Sequence, residues 1–91
     1  MIEAQKLGAS LQDWRILLGL TQELVAQRAG ISRSTLIKLE QGAGAKLETF
    51  LTVAKVLGIA DRVQEAVEPL NTDLGRARSR LLGRQRVSKA G

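Results

Sequence analysis

Cysteine and histidine are absent from this 91-residue chain, and its aromatic residues are one tryptophan and one phenylalanine. Without cysteine or histidine there is no disulfide, no thiolate nucleophile, no imidazole base and none of the usual zinc sites. So few rings also leave little for the base-stacking platforms that bind single strands. We therefore expect neither an enzyme nor a metal or cofactor protein, because the remaining glutamate and lysine pairs are accounted for as solvated helix faces.

Long apolar runs are missing as well. The longest run, residues 16–20, has the sequence ILLGL and is too short to span a bilayer. The opening residues, Met1 to Glu3, lack the charged start and apolar stretch of a secretory signal. A chain of this length builds one hydrophobic core and little else. Because it also lacks cysteine, a spanning run and a secretory signal, we expect a cytoplasmic protein that makes no membrane contact.

The charge of the chain is unevenly distributed. Residues 1–70 carry eight basic and eight acidic groups, whereas residues 71–91 carry six basic groups and one acidic group. The net charge of +5 therefore belongs to residues 71–91, and we expect a domain over residues 1–70 followed by a basic, flexible tail. Such a tail is typical of a polyanion-binding arm and equally of a solubilising end.

Apolar residues recur at helical spacing along the body, and no segment alternates apolar and polar residues as a strand does. The pattern predicts an all-α domain in which glycines and Pro69 mark helix ends. The five predicted helices cover residues 4–18, 22–29, 33–41, 47–57 and 61–68. The buried face of the first is expected to comprise Leu7, Leu11, Trp14 and Leu18.

The helix predicted over residues 33–41 has two unlike faces, since each residue advances about 100° around an α-helix. The side expected to face the core comprises Thr35, Leu36, Leu39 and Glu40. The other side comprises Arg33, Ser34, Ile37, Lys38 and Gln41. The second face begins with a cation and a hydroxyl group, which suit guanine edges and phosphate oxygens. The alternative is an ordinary solvated helix face.

The preceding segment favours DNA binding over that alternative. Residues 22–32 predict a short helix with the small residues Ala26 and Ala29, where another helix can approach, and then a turn in which Gly30 supplies a positive φ. Over residues 7–59 the chain resembles the helix-turn-helix of the Cro-repressor/XRE-like family. The resemblance is carried by LTQE at 20–23, AGIS at 29–32, LIKLEQG at 36–42 and VAKVLGI at 53–59.

This resemblance implies a five-helix, lambda-repressor-like DNA-binding domain with helix 33–41 in the major groove. It implies base contacts by Arg33, Ser34, Ile37 and Lys38. It implies phosphate contacts by Gln22, Ser32, Thr35, Gly42 and Lys46. It also implies a structural ion pair between Arg15 and Glu40, in keeping with the need of a partly buried carboxylate for a partner.

The chain also departs from the family pattern. Basic residues commonly follow the glycine that ends the recognition helix, whereas here small residues precede Lys46, which predicts a weaker clamp on the DNA backbone. Several apolar residues form a candidate partner surface, although isolated apolar residues are normal on surfaces and those after residue 60 could simply close the core. The candidates are Ile16, Leu17, Val56, Val63, Val67 and Leu70.

A single module of this kind makes too few contacts for tight recognition. The resemblance therefore implies a homodimer on double-stranded DNA with inverted half-sites about 34 Å apart, or a multiple of that distance. The run PLNTDLGRAR at 69–78 and the pair QR at 85–86 are similar to the ends of HipB-like antitoxins, which pair with HipA-like kinase toxins. We thus expect a repressor that is also such an antitoxin. A stand-alone regulator and an interaction module without DNA binding remain alternatives.

Overall fold

A computed structural model describes the backbone of residues 2–90 and the side chains of residues 3–86. All regular structure in this part of the chain is helical, and none of its helices is long and apolar enough to cross a membrane. The chain divides into an N-terminal unit, residues 1–60, and a C-terminal unit, residues 61–91. The helices are α1 Ile2–Leu17, α2 Gln22–Ala29, α3 Arg33–Gln41, α4 Leu47–Val56, α5 Ala60–Val67, α6 Asp73–Ala77 and α7 Arg80–Ala90, with a 3₁₀ turn at Pro69–Asn71.

The core of the N-terminal unit is shared by its four helices. Helices α1 and α2 both pack on α3, and α2 also packs on α4. Each helix contributes one fully buried aliphatic side chain, and the burial of each contributes about 1.5–3 kcal/mol. These side chains are Leu11, Val25, Leu36 and Val53. In α4 the neighbouring Ala54 is buried as well, whereas Leu47 at its start is exposed.

The buried face of α1 differs from the predicted one. Leu11 is buried as expected, but Leu7 and Leu18 are 49% and 48% exposed. The residues buried beside Leu11 are Gly8 and Arg15, which no apolar periodicity could identify. A Cβ atom at Gly8 would lie 2.6 Å from the carbonyl oxygen of Glu40 and closer still to that of Leu39. The prediction was wrong for Leu7 because α1 meets α3 backbone to backbone at the neighbouring Gly8, and for Leu18 because α1 ends at Leu17.

The connection between α2 and α3 is set by caps at both of its ends. Gly30 adopts a left-handed conformation with φ of 68°, and Ile31 N–H donates to the carbonyl of Ala26 at 3.0 Å. The side chain of Ser32 then caps α3 by accepting from the N–H of Thr35 at 3.1 Å. These local signals explain why the predicted bounds of α2 and α3 match the structure.

In the C-terminal unit, α5 was predicted, whereas α6 and α7 lie where the sequence predicted a tail. Thr72 begins α6 by accepting from the N–H of Gly75 at 2.9 Å, and its hydroxyl donates to the carbonyl of Pro69 at 2.6 Å. Asn71 Nδ2 donates to the carbonyl of Glu65 at 2.9 Å. None of the side chains described in residues 61–86 is buried, so this unit is organised by local hydrogen bonds rather than by a core.

Candidate nucleic-acid interface

Helix α3 presents one face to solvent and the other to the core. Leu36, Leu39 and Glu40 are buried, and Thr35 is half-buried. The opposite face is exposed except at Ile37, which is half-buried, and it comprises Arg33, Ser34, Ile37, Lys38 and Gln41. The division obtained by rotating the sequence around a helix is therefore the one found in the structure. Gln41 belongs to the exposed face although the resemblance gave it no role.

Three hydroxyl groups cluster at the start of α3. The Ser32 Oγ lies 2.8 Å from the Thr35 hydroxyl oxygen and 3.1 Å from the Ser34 hydroxyl oxygen. Ser32 and Ser34 are exposed, and Thr35 is half-buried. Hydroxyl donors at a helix N-terminus suit a phosphate oxygen, because the helix dipole also favours negative charge there.

A buried ion pair joins α1 to α3. Arg15 Nε donates to Glu40 Oε2 at 2.7 Å, and Arg15 Nη2 donates to Glu40 Oε1 at 3.3 Å. A further Arg15 donor, Nη1, bonds the carbonyl of Leu20 at 3.0 Å. The side chains of Arg15 and Glu40 are only 11% and 3% exposed, so each charge depends on the other. The two residues that the resemblance pairs are thus in contact beneath the exposed face of α3.

Gln22 extends this contact to α2 and to the exposed face. Its Nε2 donates to Glu40 Oε1 at 3.0 Å, while its Oε1 accepts from Nε and Nη2 of Arg33, each at 3.4 Å. The sequence assigned Gln22 to a phosphate and did not place it between Glu40 and Arg33. No local pattern signals such a link, because it depends on the packing of three helices. One Nε2 hydrogen stays uncommitted by these bonds.

In the turn after α3, the backbone amides of Gly42 and Ala43 donate hydrogen bonds to carbonyl groups of α3. Gly42 N–H donates to the carbonyl of Leu39 at 3.1 Å, and Ala43 N–H donates to that of Lys38 at 2.9 Å. A Cβ atom at Gly42 would lie 2.5 Å from backbone atoms of Gln5, so this glycine permits close packing on α1. The Gly42 amide, to which the resemblance assigns a phosphate contact, is thus hydrogen-bonded within the end of α3, and the Lys46 side chain further along the turn is exposed.

Comparison with known families identifies this arrangement of α2, turn and α3. The helix-turn-helix family model matches residues 11–63, which is more than half of the chain. The protein belongs to the helix-turn-helix family. Comparison with curated proteins gave no match, and comparison with solved structures gave none either.

Membership in the helix-turn-helix family makes the chain a DNA-binding transcriptional regulator of the Cro-repressor/XRE type. The family is a regulatory one rather than a family of enzymes. The expected fold class, an all-α, lambda-repressor-like domain, is confirmed by the family match and by the helices of the structure. The matched stretch ends inside α5, so the family does not account for residues 64–91.

The candidate partner surface of this helix-turn-helix protein is only partly exposed. Leu17 is 80% exposed and Val67 is 71% exposed. Ile16 and Leu70 are exposed as well, whereas Val56 and Val63 are half-buried. Helix α5 contributes no buried residue.

Proposed function

We propose that the protein is a sequence-specific repressor that binds double-stranded DNA as a homodimer, with α3 in the major groove. The observation that carries this proposal is the exposed polar face of α3. The opposite face of α3 packs against the core through Leu36 and Leu39 and is held by the Arg15–Glu40 ion pair. A rigidly held helix with one free polar face is what major-groove readout requires.

The exposed residues of α3 divide into two roles. Arg33 and Lys38 offer donors for guanine O6 and N7, Ser34 can bond either kind of base edge, and the half-buried Ile37 offers an apolar contact for a thymine methyl group. Around them, contacts to the DNA backbone fix the position of the domain without specifying sequence. We assign these contacts to Gln22, Ser32, Thr35 and Lys46, with Gly42 shaping the turn.

Two copies are needed because one helix reaches only a few base pairs. A two-fold dimer would present two α3 helices to inverted half-sites, and occupation of a promoter by that dimer would repress transcription. Apolar side chains that stay exposed in the single chain support an interface between copies. The candidates with the largest exposed fractions are Ile16, Leu17, Val67 and Leu70.

The proposal is tested by selecting random-sequence duplex DNA with the purified full chain, and repeating the selection with Arg33→Ala and Lys38→Ala. We expect an inverted repeat from the wild-type protein and a loss of base preference in each variant, at different positions of each half-site. Lys55→Ala, which removes an exposed lysine of α4, is the matched control and should retain the consensus. An unchanged consensus in both α3 variants would contradict the proposal.

A second candidate function, that of an antitoxin, is favoured by the surface of the C-terminal unit. Three exposed leucines of this unit border an apolar groove that also includes Pro69 and Arg78, and these leucines are Leu74, Leu81 and Leu82. Among the described residues, Arg78, Arg80, Arg84 and Arg86 make no ion pair. Apolar and basic groups together suit an acidic protein partner better than DNA alone, which supports a HipA-like kinase toxin as partner.

The antitoxin candidate is tested by co-expression with the product of the adjacent gene. We expect a stable complex and relief of toxicity, both weakened by Leu81→Ser together with Leu82→Ser. These leucines are exposed, so the double variant should keep the stability of the wild-type chain. If neither a complex nor relief of toxicity is found, the protein is a stand-alone regulator.

A further inference from the structure

An apolar groove lies on the N-terminal unit beside the end of α3. Its volume is about 300 Å³, at the lower end of the range for small-molecule sites. The groove is formed by the first half of α1, the turn between α3 and α4, and the first residues of α4. Its walls include Leu7, Leu47 and Phe50, and Leu7 and Leu47 are 49% and 70% exposed. The groove therefore presents apolar surface to water.

Residues with little or no side chain leave the space of the groove open. Gly42 at the end of α3 packs on α1, because a Cβ atom there would lie 2.5 Å from backbone atoms of Gln5. Gly44 and Ala45 follow in the turn, where longer basic residues are common in the family. Since α1 and the end of α3 are packed this closely, the groove exists before a ligand arrives, as is usual for small-molecule sites.

The charge beside the groove is positive. Among the described residues that line the groove, Lys46 is the only charged one, so no carboxylate faces the cavity. Lys46 is exposed, and within the described part of the chain it makes no ion pair. An apolar cavity with one cation at its edge is complementary to an anion that carries an apolar body. A DNA phosphate supplies the anion only and would leave the apolar walls in water.

The size of the groove favours a small molecule over a protein partner. Ten residues line it, whereas a stable protein interface uses roughly 20–30 residues on each side. Small-molecule sites are concave and mostly apolar, with a few polar groups that orient the ligand. The groove has this composition, with Lys46 as the orienting group.

We propose that this groove binds a small amphiphilic carboxylic acid, with its apolar body against Leu7, Leu47 and Phe50 and its carboxylate paired with Lys46. The binding site itself goes beyond the proposed function. Only its consequence for DNA rests on that function, in which Lys46 contacts a phosphate. An ion pair with the ligand neutralises the same charge, so the acid should weaken DNA binding and act as an inducer.

The test titrates the DNA-free full chain with octanoate and with octan-1-ol, a neutral probe of the same length. The amide NMR signals of Gly42 and Gly44 report occupation of the groove, and we expect saturable shifts with both probes. Octanoate should bind about fivefold more tightly than octan-1-ol, as expected of an exposed ion pair. Lys46→Gln should abolish this difference. Lys55→Gln, which removes an exposed lysine of α4 outside the groove, should keep it.

The apolar wall is tested by Leu47→Ser. This variant should weaken binding of both probes about fivefold, because it removes apolar area that the ligand covers. The control is Leu51→Ser, which changes an exposed leucine of the same helix that does not line the groove. Both leucines are exposed, so both variants should keep the unfolding midpoint of the wild-type chain.

A second measurement addresses DNA. Saturating octanoate should weaken binding of the selected duplex to the wild-type chain about fivefold and lower the salt dependence by about one phosphate contact. It should leave the affinity of Lys46→Gln for the duplex unchanged. Octanoate binding without any effect on DNA affinity would refute the competition for Lys46.

The outcomes separate the site from the proposed function. If octanoate binds as expected but no duplex is bound, the groove is a ligand site and the proposed function fails. Equal affinity for octanoate and octan-1-ol, or shifts that do not saturate, would overturn the carboxylate site. A Leu47→Ser variant with an altered oligomeric state and unchanged probe affinity would show that a second copy covers the groove, which also overturns the proposal.

Discussion

The two units of the chain are stabilised in different ways. In the N-terminal unit, four helices bury aliphatic side chains against one another and enclose the ion pair between Arg15 and Glu40. In residues 61–86, the described side chains are all at least partly exposed, and the ion pair between Asp73 and Arg76 lies in solvent. The first unit can fix side chains in position, whereas the second keeps its apolar and basic groups accessible.

The N-terminal and C-terminal parts of the chain also differ in net charge. Residues 1–70 have no net charge although they contain α3, while residues 71–91 carry the whole excess of +5. In protein–DNA recognition, phosphate contacts supply salt-dependent affinity and base contacts supply specificity. We therefore expect sequence preference to reside in the N-terminal unit, whatever the basic segment adds to affinity.

The largest expected effect follows from removal of one partner of the buried ion pair. Glu40→Ala leaves the Arg15 charge buried without compensation, which should reduce the free energy of unfolding by about 3–5 kcal/mol. Urea denaturation measures this, with the exposed Glu48→Ala as a control expected to stay within about 0.5 kcal/mol of wild type. Weaker DNA binding by Glu40→Ala with an unchanged unfolding midpoint would refute a structural role.

Replacing a glycine by alanine should lower the stability in α1 of the N-terminal unit and raise it in α7 of the C-terminal unit. Gly8→Ala forces a Cβ atom against backbone carbonyls of α3 and should cost about 1–3 kcal/mol of unfolding free energy. At Gly83 in α7 the added Cβ atom would have no neighbouring atom within 4 Å. Alanine is also the better helix former, so Gly83→Ala should stabilise the helix by about 1 kcal/mol. Thermal melts and helical circular dichroism measure the pair, and equal signs would contradict the comparison.

The smallest of these effects concerns helix caps. Ser32→Ala and Thr72→Ala each remove a side chain that accepts from a backbone N–H, which typically costs about 1 kcal/mol. At Ser32 the loss should lower the free energy of global unfolding, because α3 is part of the core. At Thr72 it should appear as faster amide hydrogen exchange in α6 alone. A global effect of Thr72→Ala would show that the C-terminal unit unfolds together with the N-terminal one.

Local signals made much of the N-terminal unit predictable. Gly30 and Ser32 fixed the bounds of α2 and α3, and the spacing of Leu36 and Leu39 identified the buried face of α3. The packing of α1 was not predictable in the same way. Its buried positions beside Leu11 are a glycine and an arginine, whose burial depends on the backbone and the carboxylate of α3.

Parts of the candidate site and of the C-terminal unit were also not predictable from the sequence. The position of Gln22 between Glu40 and Arg33 arises only when three helices pack, so the sequence alone gave it a single role. Helix α6 was missed because the arginine-rich composition outweighed a local signal, the hydroxyl of Thr72 before the N–H of Gly75. Composition describes what a segment can bury, and it says less about the caps that start a short helix.

The most direct test of specificity in the N-terminal unit is the ratio of affinities for the selected duplex and a shuffled duplex, measured at several salt concentrations. Lys38→Gln should lower this ratio by about tenfold, because it removes one contact to a base edge. Replacement of Arg78, Arg80, Arg84 and Arg86 by glutamine should preserve the ratio and change only the salt dependence. A ratio that withstands Lys38→Gln and collapses in the arginine variant would mean that the C-terminal unit recognises the DNA sequence.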